Sequence, residues 1–102
     1  MARDTSPRFA WVDIGKEDCD TLDDCRVKAR INVTLDDLSK VDSGRFEEVI
    51  GFLTDNIMEW KGFDMELTPE NVRSLTVQEA QAVSRAIVEA IQNPPKMNSE
   101  DS

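Results

Sequence analysis

The chain has 102 residues, of which 39% are hydrophobic, and 21 acidic against 12 basic residues give it a formal net charge of -9. This length suits one domain with a small core, and because a short chain buries a limited share of its surface, a homo-oligomer is one way to gain stability. The acidity argues against nucleic acid and anionic membranes as partners, since phosphates attract a basic face, and it leaves basic protein surfaces open as partners.

Residues 1–8 are predicted to be a mobile polar lead-in. They are not predicted to be a secretory signal, because no hydrophobic run follows their charges. No stretch of 18 apolar residues is present either, so no transmembrane helix is predicted and the chain is expected in the cytosol of the cell that makes it. Residues 9–14 mix aromatic and β-branched side chains and predict a strand, which Gly15 ends. The acidic segment 16–24 is expected to be a loop.

The next segment, 26–35, alternates strictly between apolar and polar residues, which predicts a strand with one buried face. It is expected to pair with 9–14 as an antiparallel hairpin, and no third strand is indicated. The polar face carries cations that are expected to pair with acidic residues of a neighbouring strand or of the 16–24 loop. The apolar positions of the strand are Val27, Ala29, Ile31, Val33 and Leu35, and its cations are Arg26, Lys28 and Arg30.

Two helical segments follow. The first is a short one over 35–41, capped by Thr34. The second is a main helix over 45–60, with Asp42 or Ser43 as its cap. Apolar side chains recur in the main helix at spacings of three and four, which predicts one core-facing stripe. Gly62 is placed for a left-handed residue at its end. The stripe consists of Phe46, Val49, Ile50, Leu53, Ile57 and Trp60.

A short helical turn is predicted over 69–74, because Thr68 can cap it and Pro69 suits the first helical position. The last main helix is predicted over 76–93, with a capping box and a buried stripe. A second stripe of alanines is either a partly exposed helical face or a close helix–helix contact within the chain or with another copy. The capping box is Thr76 with Glu79, the buried stripe is Ala80, Val83, Ile87 and Ile91, and the alanines are Ala82, Ala86 and Ala90.

These elements predict an α+β fold in which a short antiparallel β-hairpin packs against two main helices. Residues 9–93 form the single predicted domain, and 94–102 are predicted to be a disordered tail because two prolines are followed by polar residues.

No catalytic constellation is found in the sequence, which contains no His and no Tyr, and no cofactor or metal site is predicted. A zinc site usually takes four Cys or His ligands, and the chain has only Cys19 and Cys25, which are expected to be free thiols in the cytosol. The acidic 16–24 loop lacks the Gly and Glu spacing of an EF-hand. The expected role is therefore binding by a protein that is not an enzyme.

Aromatic residues outside the core stripes are the candidates for partner contacts, together with Met65. Phe52 lies off the main helical stripe, so it either marks an interface or widens the core face. Trp60 and Phe63 flank a turn, where they either contact a partner or hold the two helices together. The candidate contact residues are Phe52, Trp60, Phe63, Ala82, Ala86 and Ala90, with Trp11 and Met65 as further aromatic or apolar candidates.

Between 57 and 91 a tryptophan is followed by a short polar link, a Leu-Thr-x-Glu-Asn motif, a leucine and a helix. The residues concerned are Trp60, Gly62, Leu67, Thr68, Glu70, Asn71 and Leu75, then Ala86 and Ile87. This passage resembles the tail assembly chaperones of long-tailed bacteriophages, in which the same order recurs. The upstream strand and short helix fit more loosely, at Val33, Thr34, Leu35, Asp37 and Leu38.

The resemblance implies a non-catalytic chaperone that binds the tape-measure protein, promotes assembly of tail-tube protein around it and leaves before the virion is finished. It implies action in the cytoplasm of a bacterial host. Three alternatives stay open at this stage: a head–tail connector or tail protein that stays in the virion, a small acidic inhibitor that binds a basic partner, and a small bacterial regulatory domain.

Overall fold

The computed structural model describes residues 6–15, 19–22 and 24–93. An antiparallel three-stranded sheet in the order β1-β2-β3 packs against helices, which confirms the α+β class. The strands are β1 (Phe9–Ile14), β2 (Cys25–Arg30) and β3 (Ile57–Lys61). The helices are α1 (Leu35–Asp42), α2 (Phe46–Asn56), α3 (Pro69–Arg73) and α4 (Val77–Gln92), and a 3-10 turn spans Asp20–Leu22. The predicted tail at 94–102, the first five residues of the lead-in and part of the acidic loop lie outside the described residues.

The third strand corrects the prediction that one helix spans 45–60. α2 ends at Asn56, and the chain continues directly into β3, which pairs with β2. A β-bulge at Met58 explains the error, because the extra residue lets Ile57 and Trp60 pair with core-facing residues of β2 although they stand three apart. A spacing of three is typical of a helix, so the bulge imitates a helical stripe in the sequence.

β2 is also shorter than the predicted strand over 26–35. The Asn32 side chain donates to the backbone oxygen of Ser6 and accepts from the backbone N–H of Arg8, and these bonds lie where the hairpin ends. Leu35, predicted to face the core, is 86% exposed because it is the first residue of α1 and not part of the strand. The alternation thus runs past the strand into the cap of the next helix.

The predicted N-cap residues are confirmed for three of the four helices. Thr34 and Thr68 each accept a backbone N–H bond from the third residue that follows, and Thr76 with Glu79 forms the reciprocal capping box. The prediction of Asp42 or Ser43 as the cap of the first main helix is wrong, because Arg45 is the N-cap residue of α2 and provides no side-chain bond.

The core lies between one face of the sheet and helices α2, α3 and α4. α4 presents its predicted apolar stripe to the core, and Phe52 of α2 is the largest fully buried side chain. The fully buried members of this core are Phe52, Ile50, Leu53, Ile87, Val27, Val72 and Val83. Among the described residues, the helices are all too short or too polar to cross a membrane.

Candidate protein-binding surface

Trp60 and Phe63, two of the predicted contact residues, are engaged with each other at the end of β3. Their rings stack with centroids 4.1 Å apart and an interplanar angle of 14°, and the Trp60 indole N–H donates to the Met65 carbonyl at 3.0 Å. Gly62 between them has a φ of +88°, so the predicted left-handed glycine is confirmed, although it follows a strand and not a helix. Both rings therefore serve the connection from β3 to α3.

The residues that carry the family resemblance mostly build this same connection. The Asn71 side chain donates to the Glu66 carbonyl at 2.7 Å, and its backbone N–H donates to the Thr68 hydroxyl at 3.1 Å. Arg73 and Glu47 then join α3 to α2 through an exposed ion pair of 2.6 Å, which lowers the pKa of the Glu47 carboxyl through its hydrogen bond to Arg73. The motif thus describes how this segment folds.

Two other predicted contact residues lie inside the protein. Phe52 is 1% exposed and Ala82 is fully buried, so neither can contact a partner while the chain is folded. For Phe52 the wider core face is correct, because its side chain belongs to the buried core cluster and α2 packs against both α3 and α4. The three alanines of the second stripe differ in burial, since Ala86 and Ala90 are only half-buried and remain at the surface.

Ala86 and Ala90 border a surface groove of about 270 Å³ between the C-terminal half of α4 and strand β1. β1 is an edge strand, so the groove runs along the outer margin of the sheet. The other residues that line it are Trp11, Val12, Asp13, Glu89 and Asn93. This groove brings the predicted contact residues Ala86 and Ala90 together with Trp11, a further aromatic candidate from the sequence.

The sheet face opposite the core carries the predicted cations. Lys28 pairs with Glu59 of β3 at 3.7 Å, which confirms the expected pairing with a neighbouring strand. The Arg26 guanidinium and the Lys61 ammonium lie 5.1 Å and 5.0 Å from the centre of the Trp11 ring, within the range of cation–π attraction. The Trp11 ring is therefore held toward β2 and β3.

A second cavity, of about 480 Å³, lies beside the Trp60–Phe63 connection. On its wall the Thr21 hydroxyl donates to the Glu79 carboxylate at 2.8 Å. The backbone N–H of Thr76 also donates to this carboxylate, and that bond is the main reason why the pKa of Glu79 lies below its ordinary value. The carboxylate is thus engaged by the capping box and by Thr21.

The two cysteines are both buried, at 3% and 4% exposure, and the described structure contains no disulfide between them. The described residues also contain no cluster of three or more Cys, His, Asp or Glu residues that could hold a metal ion.

Asp13 and Glu89 are groove residues that sequence reasoning did not identify. Nothing in the local sequence marks them, because their role depends on β1 being an edge strand and on α4 lying beside it.

No protein-family model, no curated protein and no solved structure matches this chain.

Proposed function

We propose that the chain is a non-catalytic tail assembly chaperone of long-tailed bacteriophages. In this role it binds the tape-measure protein and promotes assembly of the tail tube in the cytoplasm of the bacterial host. The sequence resemblance over 57–91 suggests the family. The observation that carries a binding function is the groove, where Ala86 and Ala90 of the predicted contact stripe face an open space beside Trp11.

The surface of the groove is suited to binding another protein. Its alanines lose no side-chain rotamer freedom on binding, so they add no ordering cost of that kind to the contact. The net charge of -9 helps to keep a complex with an aggregation-prone partner in solution.

A co-expression experiment tests this function. The tape-measure protein encoded in the same phage genome is produced alone, with the wild-type chain, and with two variants of α4. Ala90→Gln fills the groove with a good helix former, whereas Gln81→Ala changes an exposed position of the same helix outside the groove. We expect the tape-measure protein to be soluble with the wild type and Gln81→Ala, and to aggregate alone and with Ala90→Gln.

Mass spectrometry of purified virions separates the chaperone from a structural protein. A chaperone is expected to be absent from finished particles. A stoichiometric amount of the chain in those particles would favour a connector or tail protein, and a tape-measure protein that aggregates with the wild-type chain as it does alone would contradict the proposal.

A further inference from the structure

We propose that the outer edge of β1 binds an extended protein segment by strand addition, and that the segment alternates apolar with basic residues. The identity of the partner rests on the proposed function, whereas the geometry of the edge stands independently of it. The partner would add a fourth strand to the sheet and place its side chains in the groove beside α4.

The backbone of β1 offers hydrogen-bonding groups on its outer side. The Ile31 N–H donates to the carbonyl of Arg8 at 2.8 Å, and these two residues stand opposite each other in the register that continues from Phe9 and Arg30. Because hydrogen-bonded pairs alternate in an antiparallel ladder, the even-numbered residues of β1 bond to β2 and the odd-numbered residues point outward. Trp11 and Asp13 therefore direct their N–H and C=O groups to the outer edge, where no bond to another described element occurs.

The two edges of the sheet differ in their protection against pairing. Natural edge strands are commonly blunted by bulges, lysines or prolines. β3 has the bulge at Met58 and the charged residues Glu59 and Lys61, whereas β1 pairs in unbroken register, contains no Pro or Lys and has Asp13 as its single charged residue. Of the two edges, β1 is the one that can accept a further strand.

The groove lies against this edge. Trp11, Val12 and Asp13 are successive residues whose side chains point to alternate faces, yet all three line it, so the backbone edge itself borders the space. On the opposite side Ala86 and Ala90 contribute only methyl groups. The gap between strand and helix thus leaves room for the side chains of an added strand.

The charges at the groove select the partner. Among the described residues that line the groove, Asp13 and Glu89 carry a charge and both are negative, whereas the nearby cations Arg26 and Lys61 lie over the Trp11 ring. Asp13 lies on the sheet face opposite the core, so lysine or arginine side chains on that face of an incoming strand would meet its carboxylate, which favours association, while the apolar side chains would face Ala86 and Ala90. A second copy of the chain, with a net charge of -9, would bring like charges together.

The test uses the full ¹⁵N-labelled chain and an acetylated eight-residue peptide in which Lys and Val alternate. We expect the largest amide shifts in NMR titration at Trp11 and Asp13, together with slower hydrogen exchange of those amides. A peptide with Glu in place of Lys is expected to cause no such shifts. The Lys peptide N-methylated at alternate residues is the backbone control, because it lacks the donors needed on one edge.

Two variants at one position separate backbone from charge. Asp13→Asn removes the carboxylate and keeps the N–H, so binding of the Lys peptide is expected to weaken by about threefold, the effect of an exposed charge pair. Asp13→Pro also removes the outward N–H without touching a bond to β2, and proline is tolerated on an edge strand. We expect binding to weaken by a further tenfold or so, as for the loss of one hydrogen bond. Circular dichroism establishes whether each variant is folded.

The outcomes divide as follows. Absence of shifts at Trp11 and Asp13 with the Lys peptide, or equal binding of the Glu or N-methylated peptide, overturns the strand-addition proposal. Concentration-dependent shifts at the same amides with a dimer mass in light scattering assign the edge to a second copy, and shifts on deleting 94–102 assign it to the chain's own C-terminal segment. Either result also overturns the proposal.

The experiments can refute the proposed chaperone function independently of the strand-addition proposal. If the Lys peptide binds at the edge while the tape-measure protein is not kept soluble, the edge inference stands and the chaperone function is wrong. If Asp13→Pro still keeps the tape-measure protein soluble, the function stands and the edge is not its binding site.

Discussion

Replacing Gly62 with alanine tests the segment that connects β3 to α3, which contains most of the residues that carry the family resemblance. This glycine has a φ of +88°, and a Cβ built on it would lie 2.6 Å from the Asp24 carbonyl oxygen and 2.9 Å from the Cys25 Cα. The left-handed conformation alone costs an L-residue about 1–2 kcal/mol. The contacts are with backbone, which cannot rotate away, and overpacking of this kind costs about 1–3 kcal/mol more. We therefore expect Gly62→Ala to lower the free energy of unfolding by about 3 kcal/mol.

Two other glycines provide matched controls. Gly44 has a φ of +72° with nothing within 4 Å of a built Cβ, so Gly44→Ala should lose only the conformational term of about 1 kcal/mol. Gly51 lies inside α2 with open space around it, so Gly51→Ala should raise the free energy of unfolding by about 0.5–1 kcal/mol through better helix propensity. The series separates backbone strain from steric contact.

The assay is urea unfolding followed by circular dichroism, with the slope of the transition checked for constancy across the variants. The predicted order of stability is Gly51→Ala, wild type, Gly44→Ala and Gly62→Ala. If Gly62→Ala costs no more than Gly44→Ala, the close approach of the connection to Asp24 and Cys25 is wrong, and the stacked rings beside it lose their structural explanation.

Phe52→Ala should lower the free energy of unfolding by about 3–5 kcal/mol, because the Phe52 side chain is fully buried. Phe46→Ala, at a position 39% exposed, should lower it by less than about 1 kcal/mol in the same urea assay. Similar losses of stability in the two variants would contradict the assignment of Phe52 to the core. The Glu79 carboxyl has a folded-state pKa below its ordinary value, so the stability that it contributes is present above its unfolded-state pKa and is lost as pH falls through the folded-state pKa. Glu79→Gln should accordingly flatten the acid side of a stability–pH curve, and an unchanged curve would refute the role of the capping box. The thiols of Cys19 and Cys25 should react with Ellman's reagent at the rate of unfolding and not faster, since both are buried; rapid labelling in buffer would show that this region opens.

Local chemistry allowed several features to be predicted from the sequence alone. The caps at Thr34, Thr68 and Thr76 depend on a side-chain oxygen and on N–H groups three residues away, all of which are neighbours in the chain. The apolar stripe of α4 and the hairpin of β1 with β2 likewise follow from periodicity and short connections. The α+β class was therefore predictable before any long-range contact was known.

The third strand and the candidate groove depended on tertiary structure. Ile57 and Trp60 read as helical positions because the bulge that brings both to one face forms only against β2. Phe52 read as a candidate contact because the neighbours that bury it come from distant segments. The groove needs β1 at the edge of the sheet and Ala86 and Ala90 of α4 beside it. Periodicity shows which side of an element is apolar, but only packing decides which apolar sides are covered and which backbone edge stays open.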